Sequence, residues 1–246
     1  MKILFLDIET APNVAMVWGL FNQNISTGHL LNTGYTLSWA ASWLGEEDVY
    51  FDSVFQSTPR SMVKSIHRML DEADIVVHYN GTKFDIPTLN REFLLHGLPP
   101  PTPYKQVDLL KTMRSRFRLT SNKLDFVCKQ LGLEGKTKHT GMDLWQGCMN
   151  KDPEAWALME EYNVNDVIIL EEVYNKLLPW IKNHPNLSLY KEDAVCPTCG
   201  GKHLQSRGFQ ITTAGKYRRF RCNDCGTWSR AAKCEKVEYT KIVGVN

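Results

Sequence analysis

Asp7 and Glu9 stand two residues apart where the apolar run from Ile3 to Ile8 ends. In a strand, that spacing puts both carboxylates on one face, in line with Ile3 and Phe5, and a carboxylate pair of this kind can hold a cation. Taken alone, it is equally an acidic strand end reaching water. Asp85 lies in HYNGTKFDIPTL (residues 78–89), where a strand gives way to a helix, and a single Asp there also reads as a helix N-cap. In EYNVND (residues 161–166), Tyr162 and Asp166 are four apart on a helix and share a face. Cys196-Pro-Thr-Cys199 and Cys222-Asn-Asp-Cys225 are separated by 22 residues, each followed by a glycine. Two such knuckles make a tetrahedral Cys₄ site for one structural Zn²⁺. Two disulfides or a redox centre are the alternatives. Cys234 and His203 lie outside the knuckles as substitute ligands, and Cys128 and Cys148 read as buried thiols.

These residues need elements to carry them. Ile3 to Ile8 is apolar on both faces, as a central strand is. Residues 13–34 lack periodicity and read as a loop. Thr36 to Leu44 and Asp48 to Val54, rich in β-branched and aromatic residues and joined at Gly45-Glu46-Glu47, predict an antiparallel hairpin. Pro59 to Glu72 has helical spacing, Asp74 to Tyr79 returns to strand, Phe84 to His96 is amphipathic, and Gln106 to Leu109 suits a short strand. Ser121 is placed to cap a helix that stops at Gly132. Asp152-Pro153 opens a long helix to about Leu178, and Pro179 and Pro185 then mark a boundary. Strands and helices alternate, which indicates an α/β domain over residues 1–190. Residues 191–246 are too poor in long apolar side chains to form a core without a staple and make a second, small domain.

Asp-Ile-Glu-Thr at residues 7–10, YNGTKFDIPTL and YNVND occur in a fixed order on strand end, strand-to-helix loop and helix. Together they resemble the three motifs of DEDDy 3'-5' exonucleases, nearest to the proofreading exonuclease domain of family B DNA polymerases. The resemblance runs through most of residues 1–180, including the stretch from Val107 to Lys138 between the second and third motifs. It implies an RNase H-like mixed sheet flanked by helices. It makes Asp7, Glu9, Asp85 and Asp166 the carboxylates that hold two Mg²⁺ or Mn²⁺ ions, and sets Tyr162 beside the attacking water. A tyrosine has an ordinary pKa of about 10, so it would orient that water rather than act as a base. Position 161 is Glu161, where a histidine would mark the sister DEDDh class. Asn80 and Phe84 match positions against the 3'-terminal nucleotide, although Phe84 is equally a core residue. No polymerase portion follows, so a free-standing exonuclease is expected.

The cysteine spacing with its trailing glycines resembles a zinc ribbon. Between the knuckles, GKYRRFRC puts Tyr217, Arg219 and Arg221 on one strand face, opposite Arg218 and Phe220. Tyr217, Arg218, Arg219 and Arg221 are candidate substrate-binding residues, with Trp228 and Arg230 nearby. A solvated basic face, or one used for protein contacts, is the other reading.

Charge follows the same division. The whole chain has 29 Lys and Arg against 27 Asp and Glu, but residues 191–246 hold 11 basic and 5 acidic side chains (+6) and residues 1–190 hold 18 and 22 (−4). A basic tail on an acidic domain suits a phosphate-bearing partner. The 246 residues, 43% hydrophobic, exclude global disorder, a peptide hormone and a repeat array. Seven cysteines, an odd number with two C-x-x-C pairs, point to a reducing compartment. The short acidic-ended amino terminus is no signal peptide, and no apolar run approaches a membrane span. A cytoplasmic location, of a cell or of a virus-infected cell, is expected. The expected function is metal-dependent 3'-5' hydrolysis of single-stranded nucleic acid, DNA before RNA, to nucleoside 5'-monophosphates, with a replication or repair protein as a further partner of the ribbon. Two readings compete with it: a structure-specific endonuclease on the same scaffold, and a non-catalytic nucleic-acid-binding regulator.

Overall fold

Chain order in the computed structural model, which describes residues 1–135, 137–213 and 215–235, begins with β1 (Ile3–Thr10), β2 (Val14–Ala15), β3 (Leu30–Asn32), β4 (Thr36–Trp43) and β5 (Val49–Ser53). Helix α1 (Pro59–Glu72), β6 (Ile75–His78), α2 (Asp85–Leu95), β7 (Lys105–Asp108), α3 (Leu109–Arg116), α4 (Leu124–Leu131), α5 (Met142–Met149) and α6 (Pro153–Leu177) follow. The chain divides into two compact units, residues 2–174 and a second that begins at Asn175.

The first unit is built on a five-stranded sheet in the order β5-β4-β1-β6-β7. The pairs β1/β4 and β4/β5 are antiparallel, whereas β1/β6 and β6/β7 are parallel. This is the mixed sheet flanked by helices that the sequence led us to expect. Alternation along β1 assigns its two faces. Leu4, Leu6 and Ile8 pack with Met62, Ile66 and Leu70 of α1 and Ile86, Leu89 and Phe93 of α2. The odd residues face the other way, where Phe5 meets Tyr174 of α6 edge-on at 5.3 Å. Leu4, Phe5 and Leu6 are all fully buried, which is why the run shows no polar alternation until the carboxylates.

Several elements differ from the sequence reading. Residues 13–34 contain the small β2/β3 pair and a 3₁₀ turn at Thr27–His29. Helices α3 and α5 were not anticipated: α3 has only Leu109, Leu110 and Met113 as apolar residues and α5 carries Gly147 inside it, whereas α4, equally eight residues long, has a clear apolar spacing and a glycine stop. The cap of α4 is Lys123, with no side-chain hydrogen bond, while Ser121 Oγ accepts the Lys123 amide two residues on (3.3 Å). Asp85 is not a cap either. Phe84 holds that position and Asp85 begins α2.

The loop from β6 to α2 is fixed by two buried acceptors. Nδ1 of His78, a fully buried ring, accepts the Gly81 amide at 3.0 Å, and burial lowers the pKa of this histidine so that it stays neutral. Oδ1 of Asp108 accepts the Asn80 amide at 3.1 Å, and Asn80 takes φ 72°, a left-handed conformation that asparagine tolerates better than most other non-glycine residues. A Cβ at Gly81 would lie 2.4 Å from His78 Cγ. Gly81→Ala is therefore expected to destabilise by about 1–3 kcal/mol, a fall in melting temperature of roughly 3–10 °C for a domain this size. An unchanged thermal melt would mean that the loop does not depend on this contact.

In the second unit, β8 (Leu204–Thr212), β9 (Gly215–Cys222) and β10 (Trp228–Arg230) form an antiparallel sheet in the order β10-β9-β8. Among the described residues, no helix is long and apolar enough to cross a membrane.

Candidate active site and cysteine cluster

β1 outruns its parallel neighbour. Phe5 is level with Val77 and β6 ends one residue later at His78, so the last residues of β1 have β4 on one side and, at Ile8, the Asp85 side chain from the start of α2 on the other. Asp7 and Glu9 lie in this stretch, paired with Ala40 and Ser38 of β4. Helix α6 brings Asp166 to the same place. Ligand atoms of Asp7, Glu9 and Asp166 all lie within 4.8 Å of one another, with Asp166 buried and the other two half-buried. Oxygen-only donors at this separation suit a hard divalent cation and are compatible with metal binding.

Asp85 stands beside this trio rather than within it. Its Oδ1 accepts the amide of Ile8, between the two β1 carboxylates, at 3.2 Å, and its side chain is almost fully buried. Burial pushes its carboxyl up to about 7, against the pull of hydrogen bonds from its own amide and that of Ile8, and the Asp108 carboxylate pushes the same way. Desolvation is thus the main cause.

Tyr162 lies one turn before Asp166, with its ring buried in the cluster of Ala11, Leu37, Leu144, Trp156 and Met159. It meets His139 edge-on at 5.0 Å and Trp145 at 6.1 Å. Phe84 is not a core residue: it is 44% exposed. Asn80 lines a cleft of about 530 Å³ together with Tyr79, Arg114, Asn122 and Lys123.

Two residues of this region escaped the sequence reading. Asn163 is fully buried. Its Nδ2 donates to Asp7 Oδ2 at 2.8 Å, and its Oδ1 accepts from Ser38 Oγ at 3.0 Å. One amide thereby joins α6, β1 and β4. The available signal was its register, since Asn163, Val167, Leu170 and Tyr174 follow the buried stripe of α6, where a polar residue needs partners. Asp108, which fixes Asn80, also accepts the Lys111 amide at the start of α3 (3.3 Å).

The four cysteines also come together. Sγ atoms of Cys196, Cys199, Cys222 and Cys225 lie within 4.8 Å of one another, with Cys196–Cys225 and Cys199–Cys222 at 3.7 Å. That is far beyond a disulfide bond. It matches the ~3.8 Å edge of a tetrahedron of thiolates about 2.3 Å from a central ion, so the cluster is compatible with metal binding. Amides of Thr198 and Gly201 point at Cys196 Sγ and Cys199 Sγ (3.4 Å each), and the trailing Gly200 and Gly226 take φ 72° and 77°, which is why glycine follows each pair. His203 pairs with Asp224 and Cys234 with the Lys216 carbonyl, so neither joins the cluster. Cys128 and Cys148 are buried.

On β9 the candidate substrate-binding residues separate. Arg219 is opposite Arg230 and Arg221 opposite Trp228, and Tyr217 shares their face. Arg218 is on the other side, paired with Glu235 at 3.2 Å and stacked over Phe209.

A family model of the RNase H superfamily matches residues 4–178. Among solved structures, the family B DNA polymerase of the hyperthermophilic archaeon Pyrobaculum calidifontis is similar in fold, with a TM-score of 0.53 and 19% identity over 72% of this chain. The match spans 24% of that polymerase. No curated protein sequence matches.

Replacing Asn163 by Ala takes away the amide that joins Asp7 to Ser38. We expect a loss of about 1–3 kcal/mol in thermal or denaturant unfolding. A variant as stable as the parent would show that the bridge contributes nothing.

Proposed function

The chain belongs to the RNase H superfamily, and on that premise we propose that it is a metal-dependent 3'-5' exonuclease of the DEDDy type, releasing nucleoside 5'-monophosphates from single-stranded nucleic acid, DNA in preference to RNA. The observation that carries this reading is the convergence of Asp7 and Glu9 with Asp166, more than 150 positions away in sequence, at the end of a central strand. Clustered carboxylates repel one another, and a nuclease fold gives them a use.

Asp7, Glu9 and Asp166, with Asp85 beside them, would hold two Mg²⁺ or Mn²⁺ ions. When bound, such ions would neutralise charge on the phosphoryl and leaving oxygens and would make a water nucleophilic at neutral pH. The chain's own groups do the positioning. Asn163 holds the Asp7 carboxylate toward α6, and Asp85 braces the β1 backbone at Ile8. The Tyr162 hydroxyl would orient the attacking water by a hydrogen bond. Asn80, fixed by Asp108, and the exposed ring of Phe84 would receive the terminal nucleotide, the ring by stacking on its base. Only an unpaired end can be splayed into such a site, which favours single strands. The likeness in fold to a DNA polymerase favours DNA.

We further propose that residues from 191 onward form a zinc-ribbon domain, with one structural Zn²⁺ held by Cys196, Cys199, Cys222 and Cys225. Burial raises the pKa of the Cys196 and Cys199 thiols, so a bound cation is what would keep them as thiolates.

A time course on 5'-labelled single-stranded DNA with Mg²⁺ tests the enzyme. The substrate should shorten one nucleotide at a time from its 3' end, Asp166→Ala should lower the rate by at least about 10³-fold, and Tyr162→Phe should retain residual activity. Long oligomers as first products would favour the endonuclease reading, and near-parental turnover in Asp166→Ala would refute both. For the ribbon, metal analysis of purified protein should give one zinc per chain. Cys222→Ser should lose it, and retention of full zinc in that variant would reject the assignment.

A further inference from the structure

We propose that one face of the β8-β9-β10 sheet, and not the other, is a track for single-stranded nucleic acid. The proposal deepens the reading of the chain as a single-strand nuclease and rests on it. The three strands contain no Asp or Glu and carry Arg207, Lys216, Arg218, Arg219, Arg221 and Arg230. Pairing register divides these charges. Arg219 and Arg221 share a face with their β10 partners Arg230 and Trp228, and with Tyr217. Arg207, at the bulge in β8 where the register shifts between Ser206 and Phe209, turns its Nε to Gln205 at 3.0 Å, the residue across from Arg221.

The two faces use their cations differently. On the first, the Arg219 guanidinium lies over the Trp228 ring at 4.7 Å and Arg230 over Tyr217 at 3.9 Å. Trp228 is 51% exposed and Arg219, Arg221 and Arg230 are exposed. Flat cationic groups alternate with flat rings across neighbouring strands; the Arg219 Nε donates to the Arg207 carbonyl at 3.0 Å, and the exposed side chains of Arg221 and Arg230 complete the row. On the second face, Lys216 and Arg218 both cover Phe209, at 3.9 and 4.8 Å, and Arg218 is committed to Glu235 and Ser206. Charge there is spent within the protein.

The partner that fits the first face has regularly spaced anions and exposed π faces. Phosphates of a strand match the guanidinium edges, and its bases match the stacked planes. An acidic peptide supplies the anions without the planes, and a duplex hides its bases. Since ribbon and nuclease unit share one chain, a strand held on this face stays at high effective concentration for cleavage.

The test is fluorescence anisotropy of a labelled oligothymidine of about 20 nucleotides, long enough to span several stacked positions, on full-length protein with its zinc retained, no divalent cation added, across a salt series. Arg219→Gln/Arg221→Gln/Arg230→Gln should weaken binding at least tenfold and reduce the slope of log K against log salt by about 2, three lost contacts at about 0.7 each. Lys216→Gln/Arg218→Gln should stay within twofold of the parent. Changing the same three arginines to Lys should keep the slope and still weaken binding, because charge survives and planar stacking does not. Matching melting temperatures establish that each variant is folded. Equal weakening by both glutamine variants, an unchanged slope in the first, or equal affinity for duplex of the same length would overturn the proposal. Cleavage plays no part in this measurement, so it can fail while the exonuclease assay succeeds, and the reverse.

Discussion

Holding three carboxylates within 4.8 Å of one another is the constraint around which the first unit is organised. Two full charges at that distance repel by roughly 3 kcal/mol at an effective dielectric of about 20, so the chain must fix their carriers by other means. It does so with backbone and apolar packing. β1 is buried on both faces between α1 and α2 on one side and α6 on the other, and both of its edges are occupied. Asn163 adds a direct polar tie between the helix and the strand that bear the acids. The repulsion that remains is what a bound cation would relieve.

Much of this was legible in the sequence because the signals were strong where the core was strong. The uninterrupted apolar run of β1, the helical spacing of α1 and the Asp152-Pro153 start of α6 each reflect complete burial of a face or stripe, and these are the elements that carry Asp7, Glu9 and Asp166. The β4/β5 hairpin was legible through its β-branched and aromatic residues and the turn at Gly45. What escaped was short or polar. Helix α3 has few apolar residues and α5 an internal glycine, so neither expresses the period that α4 shows at the same length. Asn163 and Asp108 are polar groups whose meaning lies in partners distant in sequence, and single-sequence patterns do not record such pairs. Phe84 went the other way: an aromatic in an amphipathic segment has even claims to core and surface, and only the geometry of the α2 cap decides.

The second unit follows a different physical rule. Cys196 and Cys222 are buried, but the strands between and after them are largely exposed, so the four-cysteine cluster takes the place of an apolar core. That arrangement leaves both sheet faces free to carry charge. Register then decides which face spends its cations internally, a property that alternation in GKYRRFRC foreshadowed for β9 but that needed β8 and β10 to complete.

The central claim is that Asp7, Glu9 and Asp166 form a site for divalent cations. Titration of the protein with Mn²⁺, followed by electron paramagnetic resonance of the free ion, tests it without reference to any substrate. The account predicts that the parent protein depletes the free-ion signal and that Asp7→Asn and Asp166→Asn do so much less, with the fold intact. Equal depletion by parent and variants, or none by the parent, would contradict it.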